Sequence, residues 1–388
     1  MEILFVSHKY PPATGGMEKQ SYELIQGMHE FATVRKIVYT GEESYLQFFR
    51  KLNKRINSML QQYPGIRLIH FNDGLMAAAC LWHKGYSHLR RVVTVHGLDV
   101  VFPLAIYQRF ILPRFNRYDQ IIAVSQATAK EAVYRGIDQN KIFVIPNGID
   151  HKLQFGIDLE VAHAFRKKYN LQKDDKILVL LGRPVKRKGF SWFIREVLPK
   201  LPKEYKVLMA GPFSPEPTKV EKNLSWFPSS WQNLYQLFMG FPSDQVALRT
   251  LLNDKCYEGR VQHLGKLPQP ELEVFLNCSD AFIMPNIHVP GDMEGFGLVC
   301  LEASVCGALV IASAIDGITD AIQDQKNGFH IKSEDVECWV SGIKEVLDDN
   351  EVVHQKREAF RQFTLANFSW SKMVQAYAKK FEELLSNS

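Results

Sequence analysis

The chain has 388 residues, a length that exceeds one ordinary domain and favours two. Its 46% apolar and 23% charged residues are typical of a soluble globular protein, and no apolar run approaches the roughly 20 residues of a membrane-spanning helix. The net charge of +5 is uneven, because residues 1–150 hold 18 basic and 12 acidic residues, a balance of +6, and the rest sum to −1.

Short apolar segments alternate with helical segments along the first part of the chain. The strand "EILFVS" is followed by a helix over "GGMEKQSYELIQGMHE". Five further strands are predicted before residue 150, at "ATVRKIVY", "IRLIHFN", "RRVVTVHG", "QIIAVS" and "KIFVIPNG".

A second series of strands begins after about residue 165. It comprises "KILVLLGR", "YKVLMAG", "RVQHLGKL", "AFIMPN", "ALVIAS" and "GFHI". Apolar strands separated by helices indicate parallel sheets covered on both faces, so the sequence predicts two doubly wound α/β domains with a cleft between them. Ligands of such domains bind beyond the carboxyl ends of the strands.

A glycine pair, Gly15 and Gly16, lies between the first strand and its helix. Glycines there let a ligand approach the backbone closely, and the start of the helix offers N–H groups to an anion. The alternative is a loop that needs a positive φ angle. The pattern is not G-x-G-x-x-G, so a dinucleotide-binding fingerprint is absent.

His96 and Asp99 follow the strand in "VTVHGLDVV". A histidine at this edge can donate a hydrogen bond to a sugar hydroxyl or act at a reacting centre. The alternative is a loop histidine bonded to the backbone.

The second series opens with a basic loop, "LVLLGRPVKRKGF". Arg183 and Lys188 follow the strand, and Lys186 and Arg187 lie between them. Cations between a strand and a helix suit a phosphate group, and the alternative is a solvated basic loop.

The segment "DMEGFGLVCLEA" carries two glutamates around a glycine pair. A helix is predicted to start near Phe296 or Gly297, with its first N–H groups facing a phosphate. Glu302, inside that helix, can accept hydrogen bonds from two vicinal hydroxyls, and Glu294 precedes the helix. The pair therefore predicts a sugar nucleotide with one carboxylate at each end. The alternative is a glycine-rich helix start with a solvated glutamate.

The motifs "PPATGGMEKQ", "HGLD", "VIPNGID", "GRPVKRKG", "LGKLP" and "EGFGLVCLE" together resemble the retaining glycosyltransferases of GT-B fold, family 4 (glycosyl transferases group 1). The resemblance covers almost the whole chain. It implies an α/β fold of two Rossmann-like domains facing a central cleft: an acceptor-binding domain at 1–165, a nucleotide-sugar-binding domain at 166–368, and a final helix at 369–388 that crosses back to the first domain.

The resemblance also implies roles for individual residues. Arg183 and Lys188 should contact the donor diphosphate, Glu302 the ribose and Glu294 the donor sugar, and His96 should face that sugar. The predicted catalytic set is His96, Arg183, Lys188 and Glu294. The predicted donor-binding set is Gly15, Gly16, Arg183, Lys188, Glu294, Gly295, Phe296, Gly297, Leu298 and Glu302, and the acceptor-binding set is His96 and Asp99.

The implied reaction is the transfer of a sugar, with retention of configuration, from a UDP- or GDP-linked donor to a glycan or lipid-linked acceptor in cell-surface polysaccharide or glycolipid synthesis. No Asp-x-Asp triplet occurs, so protein cations are expected to replace a metal, and no cofactor is expected. Three alternatives are a non-catalytic sugar-nucleotide binding protein, a phosphorylase-like enzyme that needs a pyridoxal lysine, and a nucleic-acid binder, for which no recognition motif is evident.

Two segments depart from the family pattern. The loop before Glu294 is long, so His288 and Asp292 are candidates for added sugar contacts. The segment 212–243 is long and aromatic, with no role assigned; it holds Trp226, Phe227, Trp231, Tyr235 and Phe238.

The segment 43–63 is predicted to be an amphipathic helix. Its stripe comprises Tyr45, Phe49, Leu52, Ile56 and Met59, beside the basic residues Arg50, Lys51, Lys54 and Arg55. This pattern is typical of a helix on an anionic membrane surface, and the alternative is a surface helix that packs its stripe on the core.

The start of the sequence lacks the basic flank and the length of a signal peptide, and the six cysteines lack metal-type spacing. They are interpreted as reduced core residues. The sequence therefore predicts a cytoplasmic protein, peripheral on the inner face of the membrane if the helix at 43–63 binds there.

Overall fold

The structure, a computed structural model, describes residues 1–153, 155–216, 243–348 and 350–386. It divides into two compact units, Met1–Ile149 with Phe368–Ser388, and Asp150–Asn367. The first boundary falls before the expected position at 165, because the helix that begins at Leu159 packs on a helix of the second unit. The final helix of the chain lies in the first unit.

The first unit contains a parallel sheet of six strands in the order β2-β1-β3-β4-β5-β6. Its strands are β1 (Glu2–Ser7), β2 (Thr33–Val38), β3 (Leu68–Phe71), β4 (Arg90–Val95), β5 (Gln120–Ala123) and β6 (Ile142–Val144). All six predicted strands are confirmed, each within the predicted segment. Every residue of β3 and β5 is buried, as expected for strands covered on both faces.

Helices flank this sheet. They are α1 (Gly16–Gly27), α2 (Tyr45–Gln62), α3 (Gly74–Cys80), α4 (Leu98–Val101), α5 (Gln126–Tyr134) and, from the end of the chain, α14 (Trp370–Ser386). Helix α14 packs closely on α1: a Cβ at Gly27 would lie 2.7 Å from a methyl group of Val374. A side chain at Gly27 would therefore require either Val374 or one of the two helices to shift.

A buried chain of hydrogen bonds also ties α14 to the sheet. The hydroxyl of Tyr377 lies 2.9 Å from Thr94 Oγ1, which lies 2.9 Å from His70 Nε2. His70 Nδ1 lies 2.8 Å from Asn72 Oδ1, and Gln20 Nε2 donates to the Tyr377 hydroxyl at 3.4 Å. Since buried polar groups are costly when unpaired, this chain fixes where α14 sits on the first unit.

The second unit repeats the architecture with a parallel sheet in the order β12-β11-β10-β7-β8-β9. Its strands are β7 (Lys176–Leu181), β8 (Tyr205–Ala210), β9 (Val261–His263), β10 (Ala281–Met284), β11 (Leu309–Ser313) and β12 (Phe329–Ile331). Its helices are α6 (Leu159–Lys168), α7 (Phe190–Trp192), α8 (Gln245–Leu252), α9 (Gln269–Asn277), α10 (Leu298–Val305), α11 (Ile318–Ala321), α12 (Val336–Leu347) and α13 (Asn350–Asn367). The second series of six strands is thus confirmed too, and with it the two Rossmann-like α/β domains.

Helix α2 is amphipathic, but its apolar face is not available for a membrane. Phe48, Leu52 and Ile56 are buried in the core of the first unit, whereas the side chain of Tyr45, a predicted stripe residue, is 47% exposed. The alternative of a surface helix that packs on the core therefore describes the structure, and the expectation of an apolar face for membrane insertion is wrong.

Two other expectations need correction or fall outside the described residues. Cys256 and Cys338 are exposed, so only some of the six cysteines are core residues.

In the described ranges, no helix combines the length and apolar content that crossing a membrane requires. The aromatic side chains between 217 and 242, which include Trp226 and Trp231, lie outside the described residues.

Candidate active site

The order of the strands in the second sheet reverses between β7 and β10. The chain runs from β7 outward to β8 and β9, then returns to β10 on the other side of β7. At this switch point the turn Lys186–Lys188 follows β7, and it approaches the backbone after β10 so closely that a Cβ at Gly189 would overlap the carbonyl oxygen of Pro285. Gly189 has a φ of +63°, which side chains rarely adopt. The crevice at such a switch point is the usual ligand site of an open α/β sheet.

Two cations from this turn meet two carboxylates from the loop after β10. Lys188 Nζ lies 3.5 Å from Glu294 Oε2, and Arg187 Nε lies 3.4 Å from the same oxygen. Arg187 Nη1 lies 3.2 Å from both carboxylate oxygens of Asp292. The Lys188 side chain is only 9% exposed and that of Glu294 15%, so water screens these pairs weakly.

The two carboxylates respond differently to their surroundings. Burial alone would raise the pKa of Glu294, but the charges of Lys188 and Arg187 outweigh burial and lower the pKa to about 2. Burial raises the pKa of Asp292 against the opposing effect of Arg187. Glu294 is therefore firmly ionised at neutral pH.

The backbone of Glu294 is held from both sides by the loop after β11. Its N–H donates to Asp316 Oδ2 at 3.0 Å, and its carbonyl oxygen accepts the N–H of Gly317 at 3.0 Å. A Cβ at Gly317 would overlap the carbonyl oxygen of Gly295. This close packing fixes the position of the backbone at Glu294.

Helix α10 begins immediately after the glycine pair. Gly297 is its N-terminal cap with a φ of +89°, and the helix starts at Leu298, close to the predicted start. Glu302 is half-buried inside the helix. Burial raises the pKa of the Cys300 thiol in the same helix, and the charge of Lys188 opposes that rise.

Arg183 lies between β7 and the same turn. It follows Gly182 directly after β7, its side chain is exposed, and its carbonyl oxygen accepts the N–H of Val185 at 2.9 Å. Phe296, by contrast, buries its ring, with 3% of its surface exposed, so any contact it makes with a ligand is through its backbone.

Two neighbours of the predicted residues belong to the same cluster. The sequence places Arg187 only in the basic loop, and in the structure it is the cation that contacts both carboxylates. Asp292 is a candidate for a sugar contact from the sequence, but its side chain is 0% exposed and is paired with Arg187. His288 is exposed on the same loop.

In the first unit, the adjacent strands β3 and β4 end beside one another. His96 Nε2 bonds the carbonyl oxygen of Asn72 at 2.8 Å, which matches the alternative of a backbone-bonded histidine. Both oxygens of Asp99 accept backbone N–H groups, from His96 at 2.8 Å and Gly74 at 2.9 Å. Asp99 thus joins the His96 loop to the start of α3.

A buried pair at this edge, His8 and Asp73, is not among the residues predicted from the sequence. His8, just after β1, lies with its Nδ1 3.0 Å from Asp73 Oδ2, and both side chains are buried. Asp73 Oδ1 also accepts the N–H of Met76 and so caps α3. The sequence signal for this pair is the position of both residues just after a strand. Because β1 and β3 are neighbours, polar residues at the ends of both strands meet.

Gly15 and Gly16 are exposed at the start of α1. The φ of Gly15 is 166°, which is extended backbone, so the alternative of a loop that needs a positive φ at Gly15 is wrong. Within the described ranges, no group of three or more His, Cys, Asp or Glu residues could hold a metal ion.

Comparisons with known proteins identify the family. The model described as "Glycosyl transferases group 1" matches residues 162–364, and the model "Glycosyltransferase Family 4" matches residues 3–153. The first match lies entirely within the second unit, which holds the cluster of Arg187, Lys188 and Glu294.

Curated relatives and solved structures agree with this identification. The chain is 26% identical over 400 residues to a GDP-mannose-dependent alpha-(1-6)-phosphatidylinositol monomannoside mannosyltransferase of Mycolicibacterium smegmatis, covering 95% of each chain. It is 24% identical over 332 residues to an N-acetyl-alpha-D-glucosaminyl L-malate synthase of Bacillus anthracis, covering 84% of this chain and 76% of the relative. The structure of Anabaena Alr3699/HepE in complex with UDP superimposes with a TM-score of 0.71 at 17% identity, over 99% of this chain and 100% of that chain. Since the group 1 model alone covers more than half of the chain, the protein belongs to the family Glycosyl transferases group 1 and is a glycosyltransferase of GT-B fold.

Proposed function

We propose that the protein is a retaining glycosyltransferase that moves a sugar from a UDP- or GDP-linked donor to a glycan or lipid-linked acceptor. The observation that carries the proposal is the cluster at the switch point of the second sheet, where Lys188 and Arg187 meet Glu294. Relatives support both nucleotides: the Mycolicibacterium protein is GDP-mannose-dependent by name, and the Anabaena structure is a complex with UDP.

In this proposal the second unit binds the donor. Arg183, Lys188 and the start of α10 stabilise the diphosphate, aided by backbone groups of Gly295, Phe296, Gly297 and Leu298. Glu302 accepts hydrogen bonds from the ribose hydroxyls, and Glu294, ionised and held by its backbone, accepts them from the donor sugar.

The first unit contributes the remaining roles. We assign Gly15 and Gly16 to a backbone approach to the donor diphosphate, and His96 and Asp99 to the acceptor side of the reaction. His96 is half-buried at the carboxyl end of β4, and its ring is held by the Asn72 carbonyl oxygen. A ring held in this way is oriented for one further hydrogen bond through its other nitrogen.

The proposed step breaks the bond between the anomeric carbon and the diphosphate oxygen. The acceptor hydroxyl oxygen forms its bond to that carbon on the same face, and its proton passes to an oxygen of the leaving phosphate. Negative charge grows on that phosphate in the transition state, where Arg183 and Lys188 act as the stabilising cations. The step uses no cofactor, and the absence of an Asp-x-Asp triplet favours a route without a metal.

Nucleotide release from a panel of UDP- and GDP-sugars, measured with and without candidate acceptors, tests the proposal. A transferase releases nucleoside diphosphate with at least one donor, and the anomeric configuration of its product matches that of the donor. Binding of a donor without any release would instead identify a non-catalytic sugar-nucleotide binding protein.

We also propose a cytoplasmic protein that attaches peripherally to an anionic surface through the basic residues of α2. Arg50 and Lys54 are exposed, whereas Lys51 and Arg55 form ion pairs with Glu43. Because the apolar face of α2 is buried in the core, such attachment would be electrostatic and sensitive to salt.

A further inference from the structure

Asp292 sits on a tight turn formed by the residues Val289 to Asp292. Pro290 occupies the second position and Gly291 the third, where its φ is +79°. The N–H of Asp292 donates to the carbonyl oxygen of Val289 at 3.0 Å, which completes a type II turn. The turn carries the Asp292 carboxylate inward, where none of its side-chain surface is exposed.

The inward carboxylate meets one end of the Arg187 guanidinium group. Arg187 Nη1 lies 3.2 Å from each oxygen of Asp292, while Arg187 Nε lies 3.4 Å from Glu294 Oε2. The Arg187 side chain is 13% exposed. A planar guanidinium reaches two carboxylates at fixed angles, which the single ammonium of a lysine cannot do.

Charge within this cluster is balanced. Arg187 and Lys188 carry two positive charges, and Asp292 and Glu294 carry two negative charges. If Asp292 were neutral, Glu294 would be the remaining carboxylate in direct contact with Arg187, and these four side chains would hold one excess positive charge beside Asp316, whose Oδ2 accepts the N–H of Glu294. A buried cation in that position would turn either fully onto Glu294 or toward another anion.

We propose that Asp292 is a positioning residue for the recognition of the donor sugar: it holds Arg187 and, through Arg187, fixes the direction of the Glu294 carboxylate. The inference rests on the proposed function, in which Glu294 contacts the donor sugar. Because Asp292 pairs with Arg187, Arg187 does not bind the diphosphate. Arg183 and Lys188 remain the cations that bind the diphosphate.

The proposal predicts two opposite effects of removing the Asp292 charge. Selectivity among donor sugars falls, because Glu294 loses its fixed direction. Affinity for the nucleoside diphosphate alone is kept or increases, because the cluster gains positive charge near the phosphates. A turn that only stabilised the fold would weaken both kinds of binding together.

The test compares the affinities of the wild type and of Asp292→Asn for UDP, GDP and a panel of their sugars by calorimetry. In the variant, the affinity for the preferred donor divided by the affinity for its nucleoside diphosphate should fall about tenfold. Asp175→Asn is the matched control, since Asp175 is a buried carboxylate of the same unit that pairs with Lys206 at the amino end of β7. This control should keep the ratio of the wild type.

A second variant keeps the test decisive if Asp292→Asn does not fold. Arg187→Lys retains the positive charge but cannot hold both carboxylates, so it should lower the same ratio. An unchanged ratio in either folded variant overturns the role of Asp292. A wild type that binds no member of the panel overturns the proposed function and this inference with it, whereas donor binding with an unchanged ratio overturns the inference alone.

Discussion

Lys188 Nζ lies 3.5 Å from Glu294 Oε2, although the two residues reach the site from different strands of the second sheet. Lys188 belongs to the turn after β7, and Glu294 to the loop after β10. The ion pair therefore spans the switch point of the sheet, and it couples the cation proposed for the diphosphate to the carboxylate proposed for the sugar.

Replacing Lys188 with alanine should reduce turnover more than it weakens donor binding. The phosphate charge that Lys188 stabilises is larger in the transition state than in the bound donor, so we expect kcat to fall by about 10² or more. Steady-state kinetics and donor calorimetry measure the two losses. Lys186→Ala, on the same turn and exposed, is the control, and equal losses in both quantities would make Lys188 an ordinary binding residue.

Replacing Glu302 with alanine should weaken nucleotide binding by roughly 1.5–3 kcal/mol, the cost of a lost hydrogen bond to a charged group. Glu302 is half-buried in α10, one turn beyond the helix start. Calorimetry with UDP and GDP measures the effect, and Glu345→Ala, an exposed substitution on α12, should leave the affinity intact. The ribose role fails if the Glu302 variant binds both nucleotides like the wild type.

Two glycines with similar φ angles distinguish the stability cost of close packing from the stability cost of backbone strain. Gly189 and Gly259 have φ angles of +63° and +69°, but only a Cβ at Gly189 would overlap the Pro285 carbonyl oxygen, whereas nothing lies within 4 Å of one at Gly259. Alanine should cost about 1–2 kcal/mol of unfolding free energy at either position through strain, with about 1–3 kcal/mol more at Gly189. Denaturant unfolding of the two variants measures the difference. Equal losses would mean that the turn can move away from β10 without cost.

Stability of the first unit should fall as the pH drops below 6.5. Burial lowers the pKa of His70 to about 3, so the unfolded chain takes up this proton first. The stabilising contribution is complete above pH 6.5 and is lost as the pH falls toward 3, about 2 kcal/mol of it by pH 5. Hydrogen exchange of β3 and β4 amides at pH 7.5 and pH 5 measures it. His70→Gln should remove this part of the pH dependence, and a wild type with equal protection at both values would refute it.

Anionic vesicles should bind the protein at low salt and release it as salt rises. Each basic residue near the surface contributes on the order of 1 kcal/mol, and replacing Arg50, Lys51, Lys54 and Arg55 with glutamine should abolish binding without changing nucleotide affinity. Because Lys51 and Arg55 pair with Glu43, replacing Arg50 and Lys54 together should weaken vesicle binding more than replacing Lys51 and Arg55 together. Vesicle co-sedimentation is the measurement. A wild type that ignores anionic vesicles would leave a soluble acidic acceptor as the explanation of the charge.

The sequence by itself determined the twelve strands, their division into two series and the position of the donor motif. Each strand is a short apolar run between polar turns, so its pattern is readable without knowledge of its neighbours. The helix around Glu302 was likewise predicted from local features, because the glycine at its N-terminal cap stands beside it in the sequence.

Only the tertiary structure decided which side chains meet. Arg187 and Asp292 are 105 positions apart, and His8 and Asp73 are 65 apart, so no local pattern relates them. The face of α2 was also decided by packing: helical spacing allowed a stripe that includes Tyr45, but the core of the first unit buries Phe48 instead. The physical reason is the same in each case. Periodicity reports the geometry of one segment, whereas ion pairs and buried faces depend on how distant segments pack against one another.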